Sequence, residues 1–373
     1  GRETRMRQWM EYSAVEFGIQ MGKVLFLFSL VMGIASLLTW VERKQSALMQ
    51  DRIGANRADI FGFRLLGLFH IIADGVKMIT KQDFIPPQAN KFLHTLAPTI
   101  GFFFALAAFA AIPFGGVYQF GDTQVSLQIL NINSGLLMVF AFMGLGIFGV
   151  VLGGWASYNN YATLGGLRAA SQMISYEVTM GATLIGALMV YGSVELQQIS
   201  AVQGELLWGW LPKWGVLFQP LGFILFTTAA LAETKRIPFD VPEGESEIVG
   251  YFVEYSGMKF ALFFLTDFIE TILVAALTTT LFFGGWQVPY LLADGFHFPW
   301  GSHWELGTVT VMALQVGAFM TKVCLFCFLF MLIRWTLPRF RWDQLMKLGW
   351  TIMLPLSILN IVVTALLLLL LGG

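Results

Sequence analysis

The stretch from Ala232 to Gly257, AETKRIPFDVPEGESEIVGYFVEYSG, holds the residues best suited to chemistry. Six carboxylates fall within it: Glu233, Asp240, Glu243, Glu245, Glu247 and Glu254. A run of charge is ordinarily a solvated surface. Here the acids alternate with Ile237, Pro238, Phe239, Val241, Pro242 and Ile248, a mixture that suits a folded, partly buried loop. Crowded carboxylates repel one another, which raises some of their pKa values toward neutrality. Groups poised there exchange protons at working pH. Proton handling is the chemistry to expect.

A second set lies inside apolar sequence. Glu177 follows Tyr176, Asp267 and Glu270 stand three residues apart, and Lys23 and Lys322 interrupt two further apolar runs. On a helix the Asp267–Glu270 spacing shares one face. A charge at bilayer depth costs at least about 2.5–3.5 kcal/mol, so such residues face a polar cavity or a partner and mark ion or proton paths. For the two lysines, snorkelling or a structural ion pair stays open beside the functional reading. Cys324 and Cys327 have redox-motif spacing, but in mid-span they read as packing. Two cysteines exclude a disulfide framework. They also fall short of the roughly four thiolates of an iron–sulfur cluster, so neither cluster nor flavin is expected on this chain. His70, His94, His297 and His303 lack metal-ligand spacing, and no metal site is expected.

The elements that must position these groups are membrane helices. The chain is 57% hydrophobic and only 12% charged, against about 25% charged in soluble domains. Lipid is the natural solvent. A span needs about 20 apolar residues, and eight stretches qualify: 16–40, 95–114, 134–154, 173–192, 215–232, 258–283, 307–333 and 350–371. The expected fold is an all-α integral membrane protein, a single polytopic domain over 1–373. The 12 tryptophans fall at span ends or in loops, as in an aromatic belt. Most of the 22 basic residues fall in the odd-numbered loops, from Arg43 to Lys91, at Arg168, from Lys235 to Lys259 and from Arg334 to Lys347. By the positive-inside rule those loops are cytoplasmic and both termini lie outside. The first apolar run is too long for a cleavable signal peptide. No basic run interleaves with aromatics, so nucleic acid is not an expected partner.

The first cytoplasmic loop, 42–94, contains an amphipathic segment over 61–81. Phe61, Leu65, Leu68, Ile72, Val76 and Ile79 share one face, with His70, Asp74, Lys77 and Lys81 opposite. Periodicity leaves two readings open: a helix lying flat on the membrane, or the wall of a cavity for a lipid-like ligand. The acidic cytoplasmic loop spans 233–257.

Five segments carry a family resemblance: WVERKQSALMQDRIGANR (40–57), IIADGVKMITKQD (71–83), GWASYNNYATLGGLRAASQMISYE (154–177), the 232–257 stretch, and RWTLPRFRWDQLMKLGW (334–350). In this order they resemble the quinone-site membrane subunit of proton-translocating NADH:quinone oxidoreductase, respiratory complex I. The resemblance implies a quinone as substrate, ubiquinone or menaquinone, held near the cytoplasmic edge of a bacterial inner membrane. Electrons would come from an iron–sulfur cluster in an adjacent peripheral subunit, with small membrane-arm subunits as further partners. It implies quinone-binding roles for Glu42, Arg43, Asp74, Lys77, Lys81, Arg236, Phe239, Asp240 and Glu254. Glu177, Glu233 and Asp267 match carboxylates leading into the membrane, with Glu243, Glu245 and Glu247 beneath the quinone. Lys322 matches a basic residue of span seven. Ala55, His70-Ile71 and Gln82 depart from the family pattern, and the segment between Glu247 and Glu254 is one residue short. These changes bear on the shape of the quinone channel.

Two other classes share parts of this pattern. The membrane anchor of an energy-conserving hydrogenase or ferredoxin-linked complex has the same fold without a quinone. A free-standing secondary transporter also carries intramembrane carboxylates, but often shows two similar halves, and no such repeat is visible.

Overall fold

The computed structural model describes residues 2–120, 123–207, 209–244, 247–292 and 294–371. In chain order the helices are α1 (Arg2–Met49), α2 (Phe69–Thr80), α3 (Lys91–Ala108), α4 (Gly135–Ala156), α5 (Asn160–Tyr191), α6 (Leu196–Val202), α7 (Gly215–Phe218), α8 (Pro220–Glu233), α9 (Gly257–Phe282), α10 (Thr308–Thr336), α11 (Trp342–Lys347) and α12 (Leu354–Leu371). Among the described residues seven stretches are long and apolar enough to cross a membrane: Glu16–Met49, Lys91–Ala111, Gly135–Ala156, Asn160–Tyr191, Gly257–Phe282, Thr308–Thr336 and Trp342–Leu370.

The expected fifth span, 215–232, is divided. α7 ends at Phe218, and α8 starts on Pro220, which lacks the N–H needed to continue the ladder. Gln219 at the break is buried. Its amide donates to Thr364 Oγ1 at 2.7 Å and accepts from Asn360 Nδ2 at 2.7 Å, both on α12. Irregular backbone at membrane depth is tolerated where neighbouring helices satisfy its polar groups.

The fourth helix runs further than its hydropathy suggests. α5 begins at Asn160 rather than 173, because Asn159 caps it through its side chain onto Tyr161 N. Ala162, Gly165, Gly166, Ala169 and Ala170 bury their face. At Gly154 on α4 an added Cβ would meet Ala162 O at 2.5 Å, so small residues set this close approach. Arg168 is therefore helical, not part of a loop. α1 likewise continues through Glu42 and Arg43 to Met49.

The segment predicted as one helix over 61–81 is helical only from Phe69 to Thr80, after a short turn at Leu65–Gly67. Gly67 adopts φ +89°, and a Cβ there would collide with the carbonyl oxygen of Ala55. That close contact with the preceding loop bends the chain and takes Phe61 and Leu65 off the helical face.

α9 is the central element, packing against α1, α2, α3, α6, α8 and α10. Every residue from Phe268 to Phe282 is buried, the mark of a helix surrounded by others. Thr278, Thr279 and Thr280 satisfy their hydroxyls on carbonyls one turn back. At the end of the bundle where α9 finishes, short antiparallel strands close the connections: β1 (Val117–Phe120) with β2 (Thr123–Ser126), β3 (Leu206–Leu207) with β4 (Leu211–Pro212), and β5 (Leu291–Leu292), β6 (Gly295–His297) and β7 (His303–Glu305) in one sheet. At the other end the odd-numbered connections meet.

Candidate functional site

The acidic loop is folded against the bundle by specific bonds. Gln172 of α5 donates to the carbonyls of Ala232 and Phe239, each at 2.8 Å, pinning the end of α8 and the loop together. Phe239 is buried and stacks on Phe340, ring centres 5.4 Å apart, while Phe340 N donates to Pro238 O at 3.0 Å. Arg168 reaches Glu247 at 2.8 Å, Asn159 reaches Glu254 at 2.9 Å, and Lys259 pairs with Asp83 at 2.8 Å. The four odd-numbered connections thus form one body.

Charged side chains run from this surface inward. Glu42 accepts from Arg236 at 3.2 Å and also from Arg334. The Arg236 guanidinium lies 3.9 Å from the centre of the Phe268 ring, a cation–π contact. The adjacent Lys235 is only 1% exposed. Its Nζ stands 3.2 Å from Asp267 and 3.2 Å from Glu270, bridging the acid pair on α9. These are ion pairs without well-aligned hydrogen bonds. Glu233 is buried, neither of its oxygens has a hydrogen-bond partner among the described residues, and it feels the charges of Glu177, Glu270 and Lys235. The Glu177 carboxylate rests against Gly144 of α4, where a Cβ would stand 3.0 Å from its oxygen.

The loop groups outside the membrane segments have shifted proton affinities. Burial raises Asp240 to about 6, against the opposing pull of Arg339 and Arg334. Burial, then the charges of Asp267 and Asp240, hold Glu243 well above the ordinary carboxylate range. For Lys235 burial works against the ammonium, yet Glu270 and Asp267 outweigh it and keep its pKa well above normal. Burial likewise opposes ionisation of Asp74, but hydrogen bonds from Lys77 and Arg43 prevail and its pKa is lowered. The arrangement places carboxyls of raised proton affinity next to a lysine whose proton affinity is raised as well.

Two cavities adjoin this chain of charge. One, of about 430 Å³, lies between α1, α2 and α9. It is walled by Ile71, Gly75, Met78, Phe260, Ala261 and Leu265, with Arg43, Asp74 and Lys77 also lining it. The other, of about 330 Å³, includes Glu42, Arg43, Arg52, Ala55, Phe268 and Trp335. Thr39, Arg43 and Phe264 line both. An apolar concavity with a few convergent polar groups is the usual form of a small-molecule site.

The sequence-derived residues separate into groups here. Glu42, Arg43, Asp74 and Lys77 lie at the cavities, with Arg43–Asp74 at 2.6 Å and Lys77–Asp74 at 3.0 Å. Arg236, Asp240, Glu243, Glu233, Asp267 and Glu177 belong to the inward chain. Glu247 and Glu254 instead tie the loop to the start of α5, and Lys81 is exposed at the end of α2. Glu245 lies outside the described residues. On α2 the cavity is lined by Ile71, Gly75, Met78 and Ile79, while Ile72 and Val76 are exposed. The departure at Ala55 falls on a cavity wall.

Lys235, Arg334 and Gln172 are members of the site that the sequence reading did not assign to it, whereas Glu270 was read with Asp267 as part of an ion or proton path. The one available signal was the Asp267–Glu270 pair, because two acids on one buried face require a cation. Nothing in the spacing points to Lys235, which reaches them only through the turn after α8. Lys322 lies far from this end. Its Nζ caps the end of α9, donating to the carbonyls of Phe283, Gly285 and Gln287 at 2.8, 3.0 and 2.8 Å. Among the described residues no three His, Cys, Asp or Glu side chains converge as metal ligands.

Known proteins match nearly the whole chain. A family model described as NADH dehydrogenase matches residues 22–365. An NADH-quinone oxidoreductase subunit from Cytophaga hutchinsonii is 43% identical over 91% of this chain and 94% of its own length. An NADH-quinone oxidoreductase subunit from Flavobacterium psychrophilum is 41% identical over 93% and 96%, and one from Rhizobium meliloti is 40% identical over 94% and 98%. With both the charged segments and the helical frame accounted for along this length, the chain belongs to the NADH dehydrogenase family, among the subunits of NADH-quinone oxidoreductase.

Proposed function

We propose that this chain is the membrane subunit of an NADH-quinone oxidoreductase that receives a quinone in the cavities between α1, α2 and α9 and links its reduction to proton translocation. One observation carries the reading. The apolar cleft of about 430 Å³ shares Arg43 with the cavity at Glu42, and Glu42 pairs with Arg236, whose chain neighbour Lys235 stands between the buried acids Asp267 and Glu270. An isoprenoid tail suits the apolar wall, and the cations suit a headgroup oxygen that gains negative charge. Reduction takes two electrons and two protons per quinone. The electrons come from a cluster-bearing peripheral subunit docked at this end, and the remaining membrane subunits take up the coupling.

In this reading charge on the reduced quinone is felt by Glu42 and Arg236 and passed to Lys235, Asp267 and Glu270. Glu233 and Glu177 continue the path toward the side of the bundle, and the loop acids Asp240 and Glu243 hold exchangeable protons beside it. The acidic loop faces the cytoplasm of a bacterial inner membrane, with both termini outside. A cysteine placed at Asp294 is therefore expected to react with an impermeant thiol reagent from outside intact cells, and one at Glu247 is not. The reverse pattern would invert the orientation.

The cleft is tested at Gly75. This residue is helical, it lines the cavity, and a Cβ there meets nothing within 4 Å among the described residues. Gly75→Trp fills the cleft without straining the backbone. The assembled variant should lose most NADH:quinone activity, or need at least tenfold more quinone, while NADH oxidation by an artificial soluble acceptor stays intact. Unchanged quinone kinetics would place the quinone elsewhere.

A further inference from the structure

The connection from α9 to α10 builds a second place for chemistry, at the end of the bundle away from the acidic loop. β6 and β7 pair with His297 opposite His303 and Phe296 opposite Trp304. Successive strand side chains point to opposite faces, so the two imidazoles share one face and the aromatics the other. Phe296 packs on the cluster of Tyr118, Leu291 and Val311, which turns the imidazole face away from that core. His303 is exposed and His297 half-buried. Their ring centres are 4.7 Å apart, with planes inclined at 63°.

That spacing matches a shared ligand. A metal ion bound at about 2.0–2.1 Å from one nitrogen of each ring stands about 3.2 Å from each ring centre. For ligand angles from square to tetrahedral, the two centres are then about 4.5–5.2 Å apart. The observed pair falls inside this interval with the strands where they are. Neutral imidazole suits zinc, copper and nickel.

We propose that His297 and His303 form a binding site for a divalent transition-metal ion of the zinc, nickel or copper class, completed by water. With two protein ligands among the described residues the site is open and weaker than a closed four-ligand centre. Glu305 follows two residues after His303 on the same face of β7, opposite Gly295, and adds negative charge beside the ion. The bound ion staples β6 to β7 across a connection whose first residues are already fixed by Lys322 on the carbonyls of Phe283, Gly285 and Gln287. The histidine spacing along the chain gives no such signal; the hairpin register creates it.

The test uses the purified complex, stripped with chelator and titrated with Zn²⁺ against a chromophoric competitor. His297→Gln and His303→Gln should each remove one equivalent of bound zinc, or weaken that equivalent at least tenfold, and leave NADH:quinone activity unchanged. Glu305→Gln should weaken it a few-fold. A measurement on the wild type avoids any folding defect. Zn²⁺ should protect both histidines from diethyl pyrocarbonate, read by peptide mass spectrometry, and leave modification of His70 unaffected. Equal zinc binding by wild type and His297→Gln, or modification of the pair indifferent to Zn²⁺, would overturn the proposal.

Discussion

Lys235→Met is expected to reduce quinone reductase activity of the assembled complex to under a tenth, with NADH oxidation by an artificial acceptor preserved. Lys235 is 1% exposed and stands 3.2 Å from both Asp267 and Glu270. Removing one partner from a buried ion cluster leaves uncompensated charge and costs about 3–5 kcal/mol. The two acids are then left without their buried counter-charge, so under the proposed mechanism the cluster can no longer answer charge arriving through Arg236. The thermal midpoint should fall as well. A triple variant, Lys235→Met with Asp267→Asn and Glu270→Gln, removes all three charges together and should recover stability without recovering activity. That split separates a structural role from a coupling one. If Lys235→Met alone reduces quinone and pumps at wild-type rates, the buried cluster plays no part in coupling.

Glu243→Gln is expected to lower quinone reduction and proton pumping together, at least fivefold, in a complex that remains stable. Glu243 and Asp240 have raised proton affinities in the folded protein, so folding favours their protonated forms. Their contribution to stability is present below the ordinary carboxylate range and is lost as pH rises through the folded values. For Asp240 that window runs from about 4 to about 6. Glutamine imitates protonated Glu243, so the variant should hold its thermal midpoint better than wild type as pH rises toward 8. It cannot release or rebind a proton, and activity should fail for that reason. Glu247→Gln is the matched comparison. Its carboxylate pairs with Arg168 while 41% exposed, and such a surface pair contributes at most about 1 kcal/mol. Near-wild-type pumping in Glu243→Gln would remove the loop acids from the mechanism.

These two outcomes differ for residues four positions apart, and the acidic loop shows why. Read as a string, Glu243 and Glu247 have the same neighbours in kind: acids, glycine and apolar residues. In space Glu243 is drawn under the loop beside Asp240, Lys235 and Asp267, and Glu247 is left at the surface facing α5. A similar division runs through the helices. Hydropathy marks the later part of α5, from 173 on, but not its first turns, because small residues packing on α4 carry those turns rather than apolar bulk. It marks 215–232 as continuous, although Pro220 breaks the ladder and Gln219 finds its bonds on α12.

By itself the sequence determined the solvent, the all-α class, the approximate places of the membrane helices and the five charged segments that carry the family. Each of these rests on composition or on periods within some twenty residues, which survive without knowledge of the fold. The tertiary structure decided which charges meet. Lys235 and the Asp267–Glu270 pair, Glu42 with Arg236 and Arg334, and the facing imidazoles of His297 and His303 are joined by turns and strand register. A contact between distant residues depends on how the intervening helices pack, and packing is settled by shape across the whole bundle, as where Gly154 lets α5 against α4.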